Sequence, residues 1–523
     1  GAGPGLGEGG GMSPSREELW EGLKGPWDLL ILGGGATGAG VLWEATLRGL
    51  RAALVEAGDF GIGTSSRSTK LLHGGVRYLE LAFKERNPKQ LRLVREALGE
   101  RQVVMGLAPH LARPLTLLTP LFRPLELPYY WVGLKLYDLL AGARRLAPSR
   151  YASPKEVGVL FPDLPPTLGG ILYQDGQFAD YRLNLALILS ALGRGAVALN
   201  YAEATGFLLK EGRVRGAVVK DRLTGQEVEV WAQAVVNATG SQADRVRRLL
   251  DPHLPPLLTP SSGAHLVLDY PLKVGLLLPR TRDGRVLFLL PWQGRALLGT
   301  TDLPAEARAC PLPREEEVAY LLEEIRPYLG DLSDRVLAAW AGLRPLVGKG
   351  ETKRLVRDHL IVEEKGLYTL TGGKWTTFRL MALDLLERLA RDLSLHLPPS
   401  QSHRTPLLGA GPKPPLPLPE EVAAHLYGHY GTRAGEVAAL GDRPLLPGLP
   451  YLEGEVVFAV REELAQKPLD VLVRRMGLAL LDRKRAEEAL PRVVDLMAPL
   501  LGWDEPTKEA LLSEARGALP ALC

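Results

Sequence analysis

One stretch near the start of the chain, WDLLILGGGATGAGVLWEATLRGLRAALVEAGD at residues 27–59, leaves few architectures open. Leu29 to Leu32 form a short unbroken apolar run, as expected of a strand buried on both faces of a parallel sheet. Gly33, Gly35 and Gly38 come next as GxGxxG, a helical stretch continues through Arg48, and RAALVEA is a second strand ending at Glu56. Glycines at this spacing allow a tight turn, a close approach of backbone to a pyrophosphate, and close packing of helix on strand. Amides at the helix N-terminus hold phosphates, and an acid about twenty residues on accepts hydrogen bonds from ribose hydroxyls. Strand, turn, helix, strand and acid in that order predict a Rossmann-like α/β domain that binds a dinucleotide.

At 523 residues the chain is too long for one core, and two to four domains are expected. A net charge of +3 gives no support for nucleic-acid binding. Cys310 and Cys523 stand far apart without metal-ligand spacing, so neither a disulfide framework nor a metal centre is expected, and a reducing cytoplasm fits. The glycine-rich start has no apolar core of a signal peptide, and residues 1–24 read as a flexible extension. LPYYWVGLKLYDLLAGA, residues 127–143, reads in two ways. It is a helix docked on the protein's own core, or one lying in a membrane interface with Tyr129, Tyr130 and Trp131 at headgroup level.

The chain beyond the second strand favours FAD over NAD. The segment GIGTSSRSTKLLHGGVRYLE, residues 61–80, supplies the hydroxyls of Thr64, Ser65 and Ser66 for a second phosphate and a ribityl chain. Lys70, His73, Arg77 and Tyr78 then surround the Gly74–Gly75 pair, which is suited to close backbone approach to a bound anion or, alternatively, to an ordinary polar loop. Residues 196–240 read as a β-meander returning to a buried strand at AVVNATG, ending at Gly240. Flavoprotein nucleotide domains use such a crossover; an unrelated β-rich insertion is the alternative. Gly372 and Gly373 precede Lys374, Thr376 and an apolar helical run, which aims backbone amides of a helix N-terminus at whatever lies before it.

With these segments in view, the chain resembles the FAD-dependent glycerol-3-phosphate dehydrogenases of the amino-acid-oxidase-like flavoprotein group, from about Trp27 to about Asp482. LGGGATGAG, SSRSTKLLHGGVRYLE, VVNATG, SSGAHLVLD, PWQGRALLGTTD, GLRPLVG, RLVRDH and LTGGKWTTFRLMA carry the resemblance. It implies oxidation of sn-glycerol 3-phosphate to dihydroxyacetone phosphate by hydride transfer to FAD. Planar guanidinium forks suit a phosphate dianion. The resemblance places Arg77, Arg344 and Arg357 in the substrate pocket, with Tyr78 and Lys374 as further donors. It makes His265 the base or substrate orienter, since imidazole titrates near neutrality, and gives Arg344 the stabilisation of the developing alkoxide. Lys70, His73 and Gly74 would lie along the cofactor. On the residues alone, a surface arginine, a loop-capping arginine and a structural histidine remain the bland readings of Arg77, Arg344 and His265.

The expected architecture is a discontinuous FAD domain at 25–104, 170–262 and 352–396, and a sheet-containing substrate domain at 105–169 and 263–351. A proline-rich linker at 397–416 leads to a helical C-terminal domain at 417–523. No metal is expected. Electrons would pass to a membrane quinone, with the enzyme cytoplasmic or peripheral on the inner face of the membrane, and a homodimer is one assembly allowed. Alternatives are an oxidase that reduces oxygen to hydrogen peroxide, a flavin-dependent amino-acid oxidase or dehydrogenase, and a flavin-binding scaffold without turnover.

Overall fold

The computed structural model describes residues 14–75, 88–142, 146–278, 281, 284–348 and 358–523. Its first sheet runs in the order 359–364, 367–372, 227–237, 27–32, 52–55, 197–199. Strand Trp27–Leu32 lies parallel to both neighbours, with Ile31 opposite Val236 on one side and Leu54 on the other. Its residues Leu29 to Leu32 are at most 2% exposed, which is why the run has no polar alternation. Helix Ala36–Leu47 covers the sheet between helices Asp180–Leu192 and Phe378–Asp392. Strands Ala202–Lys210 and Arg213–Asp221 form the expected meander and lead into the long strand Glu227–Asn237, which returns beside the first strand.

The second sheet runs 303–304, 261–268, 295–299, 287–292, 275–278, 112–120, 170–178, 71–72, with strand Val336–Arg344 also pairing along 261–268. Strand Gly170–Phe178 therefore belongs here, against the expectation that 170 opens a return to the FAD domain. It pairs along its whole length with strand Ala112–Pro120. Leu71–Leu72 likewise joins this sheet from within the first FAD segment.

Residues 14–24 are not a flexible extension. Ser15 caps a short helix at Arg16–Glu21, Leu19, Trp20 and Leu23 are buried, and Arg16 binds Asp221 at 2.9 and 3.0 Å. Helix Glu126–Ala141 docks on the protein core through Leu134, Tyr137 and Ala141, and no described helix is long and apolar enough to cross a membrane. The proline-rich segment is tied down, Leu407 N–H donating to Leu107 O and Leu408 N–H to Ser190 Oγ.

Helices 420–430, 434–440, 453–462, 483–501 and 505–518, with shorter turns at 470–475 and 478–481, build the C-terminal region. Val471, Leu472, Met476 and Leu480 share one hydrophobic core with Val267, Trp292 and Trp340 of the second sheet. The later helices thus complete the substrate domain's core, while Leu426, Tyr430, Ala434, Val437, Leu452 and Phe458 form a smaller core of the C-terminal region's own. The helices also return Cys523 to Cys310, with Cα atoms 6.3 Å apart and the sulfurs joined as a disulfide. The expectation of unpaired thiols is overturned. A separation of 213 residues carries no information on spatial distance, and cysteine use no longer supports a reducing compartment.

Candidate cofactor and substrate site

A cavity of about 1020 Å³ lies between the two sheets, at the upper end of the range for small-molecule sites. Its nucleotide end is built by the first turn. Gly33 has φ +109°, and a Cβ there would stand 2.2 Å from the Ala238 carbonyl oxygen; one on Gly38 would stand 1.8 Å from the Gly33 carbonyl oxygen. Gly38 therefore packs helix on strand, while Gly33 and Gly35 line the cavity. The Glu56 carboxylate accepts the N–H of Gly34 at 2.9 Å and of Gly58 at 2.7 Å. Burial pushes its pKa up and these two bonds pull against that. Ser65 Oγ accepts the Ala36 N–H at 2.8 Å, and Trp375 Nε1 donates to the Ser65 carbonyl at 2.8 Å. Thr64 Oγ1 donates to Leu343 O at 2.5 Å, joining the cofactor segment to the substrate sheet. Gly240 lines the same end.

The other end gathers His73, His265, Arg344, Gly372, Gly373, Lys374 and Thr376 from both sheets. His265 and Arg344 sit on neighbouring antiparallel strands. Arg344 is held by Thr300 Oγ1 at 3.1 Å, Thr301 O at 2.9 Å and Ser262 O at 3.4 Å. Thr69 Oγ1 and His265 Nε2 share a hydrogen bond of 2.7 Å, and the imidazole stacks on Trp340 at 4.4 Å. Burial, then Arg344, then Lys70 hold the His265 pKa well below its usual value, so the ring is neutral at neutral pH. Lys374 Nζ donates to His73 O at 2.9 Å, linking the turn before helix Phe378–Asp392 to the segment before Gly74.

Three expected cofactor contacts fall elsewhere. Lys70, at φ +61°, is not among the residues that line the cavity. Its ammonium is fully buried against Asp180 at 2.5 Å, with the rings of Trp340, Tyr181 and Trp292 around it. Gly74 faces inward, its N–H donating to Tyr137 Oη at 2.7 Å, while Gly75 lines the cavity. Ser66 is buried, its hydroxyl directed at Gly63 O. Thr377 stands at the N-cap position of helix Phe378–Asp392, but its hydroxyl donates to Lys374 O and makes no capping bond. Arg77, Tyr78 and Arg357 lie outside the described residues. Sequence reasoning missed Thr69, Trp340 and Trp375. Thr69 stands within the segment 61–80, but nothing local shows which hydroxyl faces a histidine 196 positions away.

The cradle fits FAD: a glycine-rich turn, an acid at the ribose position, hydroxyls at Thr64 and Ser65, and a cavity of about 1020 Å³ that continues to residues of the second sheet. Fold and site define a flavin-dependent oxidoreductase. The family described as FAD dependent oxidoreductase matches residues 28–387, and that described as the C-terminal domain of alpha-glycerophosphate oxidase matches 368–508. The mitochondrial glycerol-3-phosphate dehydrogenases of Bos taurus and Homo sapiens are each 43% identical to the chain, over 96% of it and 75% of their own length. The solved glycerol-3-phosphate dehydrogenase of Bacillus halodurans, complexed with FAD, superposes with a TM-score of 0.78 at 28% identity, covering 97% of both chains. The chain belongs to the FAD-dependent glycerol-3-phosphate dehydrogenase family.

Proposed function

We propose that the chain oxidises the secondary alcohol of sn-glycerol 3-phosphate to dihydroxyacetone phosphate and passes the electrons to a quinone. The observation that carries the reading is the meeting of His265, Arg344 and Lys374 in one cavity. When bound, FAD supplies the two-electron acceptor for the carbinol hydride. Arg344, oriented by oxygens of Ser261, Ser262, Thr300 and Thr301, offers positive charge to the alcohol oxygen as it loses its proton. It remains charged throughout and is unsuited to be the base. His265 is the neutral group able to take that proton. Its Nε2 shares a hydrogen bond with the Thr69 hydroxyl, so the proton reaches it by exchange with, or through, Thr69. Lys374 adds cationic charge at the turn facing the cavity, and Arg77, Tyr78 and Arg357 are assigned to the phosphate by resemblance.

Anaerobic titration tests the reading. Glycerol 3-phosphate should bleach the flavin absorbance, whereas glycerol and amino acids should not. Bleaching by glycine or proline alone would replace the substrate, and no bleaching by any of them would leave a scaffold. Turnover with oxygen as fast as with a quinone analogue would make the enzyme an oxidase. A peripheral membrane contact belongs to the same reading and is supported by the outer face of helix 126–141. Val132 and Leu139 there are 60% and 73% exposed, and Leu125 just before it is 83% exposed.

A further inference from the structure

The Cys310–Cys523 disulfide occupies an unusual place: both residues line the cofactor and substrate cavity, and both are partly exposed. Cys310 lies on the loop between strand Leu303–Pro304 and helix Glu315–Leu329. That loop comes after Thr300 and Thr301, the residues that hold Arg344. Cys523 comes after the turn Leu519–Ala521, whose Leu519, with the next residue Leu522, is buried in the core shared by the C-terminal helices and the second sheet.

Arg67 sits beneath the pair and binds both sides of it. Its Nη1 donates to Pro311 O at 3.3 Å and to Ala341 O at 3.2 Å, and its Nη2 donates to Ala521 O at 2.6 Å and reaches Cys523 Sγ at 3.6 Å. Arg67 is 2% exposed and itself lines the cavity. Arg67 also continues the turn of Thr64 and Ser65, the cofactor segment. Arg474 holds the same tail from the opposite direction, Nη1 donating to Leu522 O at 2.9 Å. One guanidinium thus ties together the cofactor segment, the strand carrying Arg344, the loop of Cys310 and the tail of Cys523. The disulfide closes that arrangement covalently.

We propose that the Cys310–Cys523 disulfide is a redox-operated latch that fastens the 519–523 tail and the 305–314 loop into one wall of the cavity, and that opening it loosens the wall and speeds loss of the cofactor. Opening is thiol–disulfide exchange with a dithiol. One thiolate of the dithiol attacks a sulfur and the S–S bond breaks. The dithiol's second thiolate then displaces the remaining cysteine from the mixed disulfide, so Cys310 and Cys523 take up two protons and the electron pair that the dithiol gives up, and the dithiol leaves oxidised as its own cyclic disulfide. A cross-link over so long a loop constrains the unfolded chain strongly.

The test uses the FAD-loaded protein with and without dithiothreitol, and a Cys310→Ser/Cys523→Ser variant. Thiol titration should find no free thiol before reduction and two after. Reduction should lower the midpoint of thermal unfolding by about 5 °C and raise the rate of FAD release several-fold, read by flavin fluorescence. The double variant should behave as the reduced protein under both conditions, which separates the latch from any direct effect of reductant on flavin. Two free thiols in the untreated protein would overturn the proposal. So would a pair that opens on reduction while FAD release and thermal midpoint stay unchanged. None of these readouts depends on the identity of the substrate.

Discussion

Arg475 grips Asp59 at two points, Nη1 to Oδ2 and Nη2 to Oδ1, both at 2.9 Å, across 416 positions of sequence. Arg474 Nε adds a third contact at 2.6 Å, and all three side chains are at most 1% exposed. The loop just after Glu56, which shapes the nucleotide end of the cavity, is thereby locked to the C-terminal helices.

Removing the carboxylate from this cluster leaves two guanidinium groups buried without it. Asp59→Asn should lose about 3–5 kcal/mol of unfolding free energy in urea melts. A loss under about 1 kcal/mol would mean that the C-terminal helices are held by apolar packing alone.

The same cluster sets a pH dependence. Burial alone would push the Asp59 carboxyl up, but Arg475 and Arg474 reverse this and hold it below the usual carboxylate range. Its stabilisation is present above the unfolded pKa of about 3.9 and is lost as pH falls through that value towards the folded one. Asp470, whose pKa burial pushes up, works in the opposite sense. Unfolding free energy should fall on acidification below about pH 5, and Asp59→Asn should flatten that slope.

His265 is held neutral, so activity that depends on it is present above its lowered pKa and lost as pH falls through it. The acid limb of kcat/KM should lie below the ordinary histidine range, and His265→Asn should lower kcat by about 10²–10⁴-fold with flavin absorbance retained. An unchanged kcat would remove His265 from the proton transfer.

Gly263 offers a way to move Arg344 without deleting it. A Cβ at 263 would stand 2.5 Å from Arg344 Nη2 and 2.9 Å from Thr300 Oγ1, the far ends of side chains rather than backbone. Gly263→Ala should therefore leave the fold and FAD binding intact and lower kcat/KM by about 10–100-fold, the worth of a charged hydrogen bond. Wild-type kinetics in this variant would show that the position of Arg344 is immaterial.

Val132→Glu together with Leu139→Glu should weaken co-sedimentation with anionic lipid vesicles while turnover with a soluble acceptor is unchanged. These side chains point outward from helix 126–141, opposite Leu134 and Tyr137. Equal vesicle binding by both proteins would exclude this face.

Much of the nucleotide end could be read from order alone. Leu29 to Leu32 had to be apolar because the strand is buried on both sides, and Gly33 and Gly38 had to lack side chains because carbonyl oxygens occupy the space. Such demands act within a few residues, so they leave a local imprint. The substrate end was legible only as residue types carried by a family resemblance.

The order of residues by itself determined the nucleotide-binding unit, its meander and the helical region at the end of the chain, because periodicity and glycine spacing report local burial and backbone geometry. The tertiary structure alone decided that Lys70 turns inward to Asp180, that strand 170–178 joins the substrate sheet, that Thr69 meets His265, and that Cys310 meets Cys523. Each depends on the packing of segments far apart along the chain. A side chain's direction there is set by which neighbour removes its charge or apolar surface from water at least cost, and no local pattern records that neighbour.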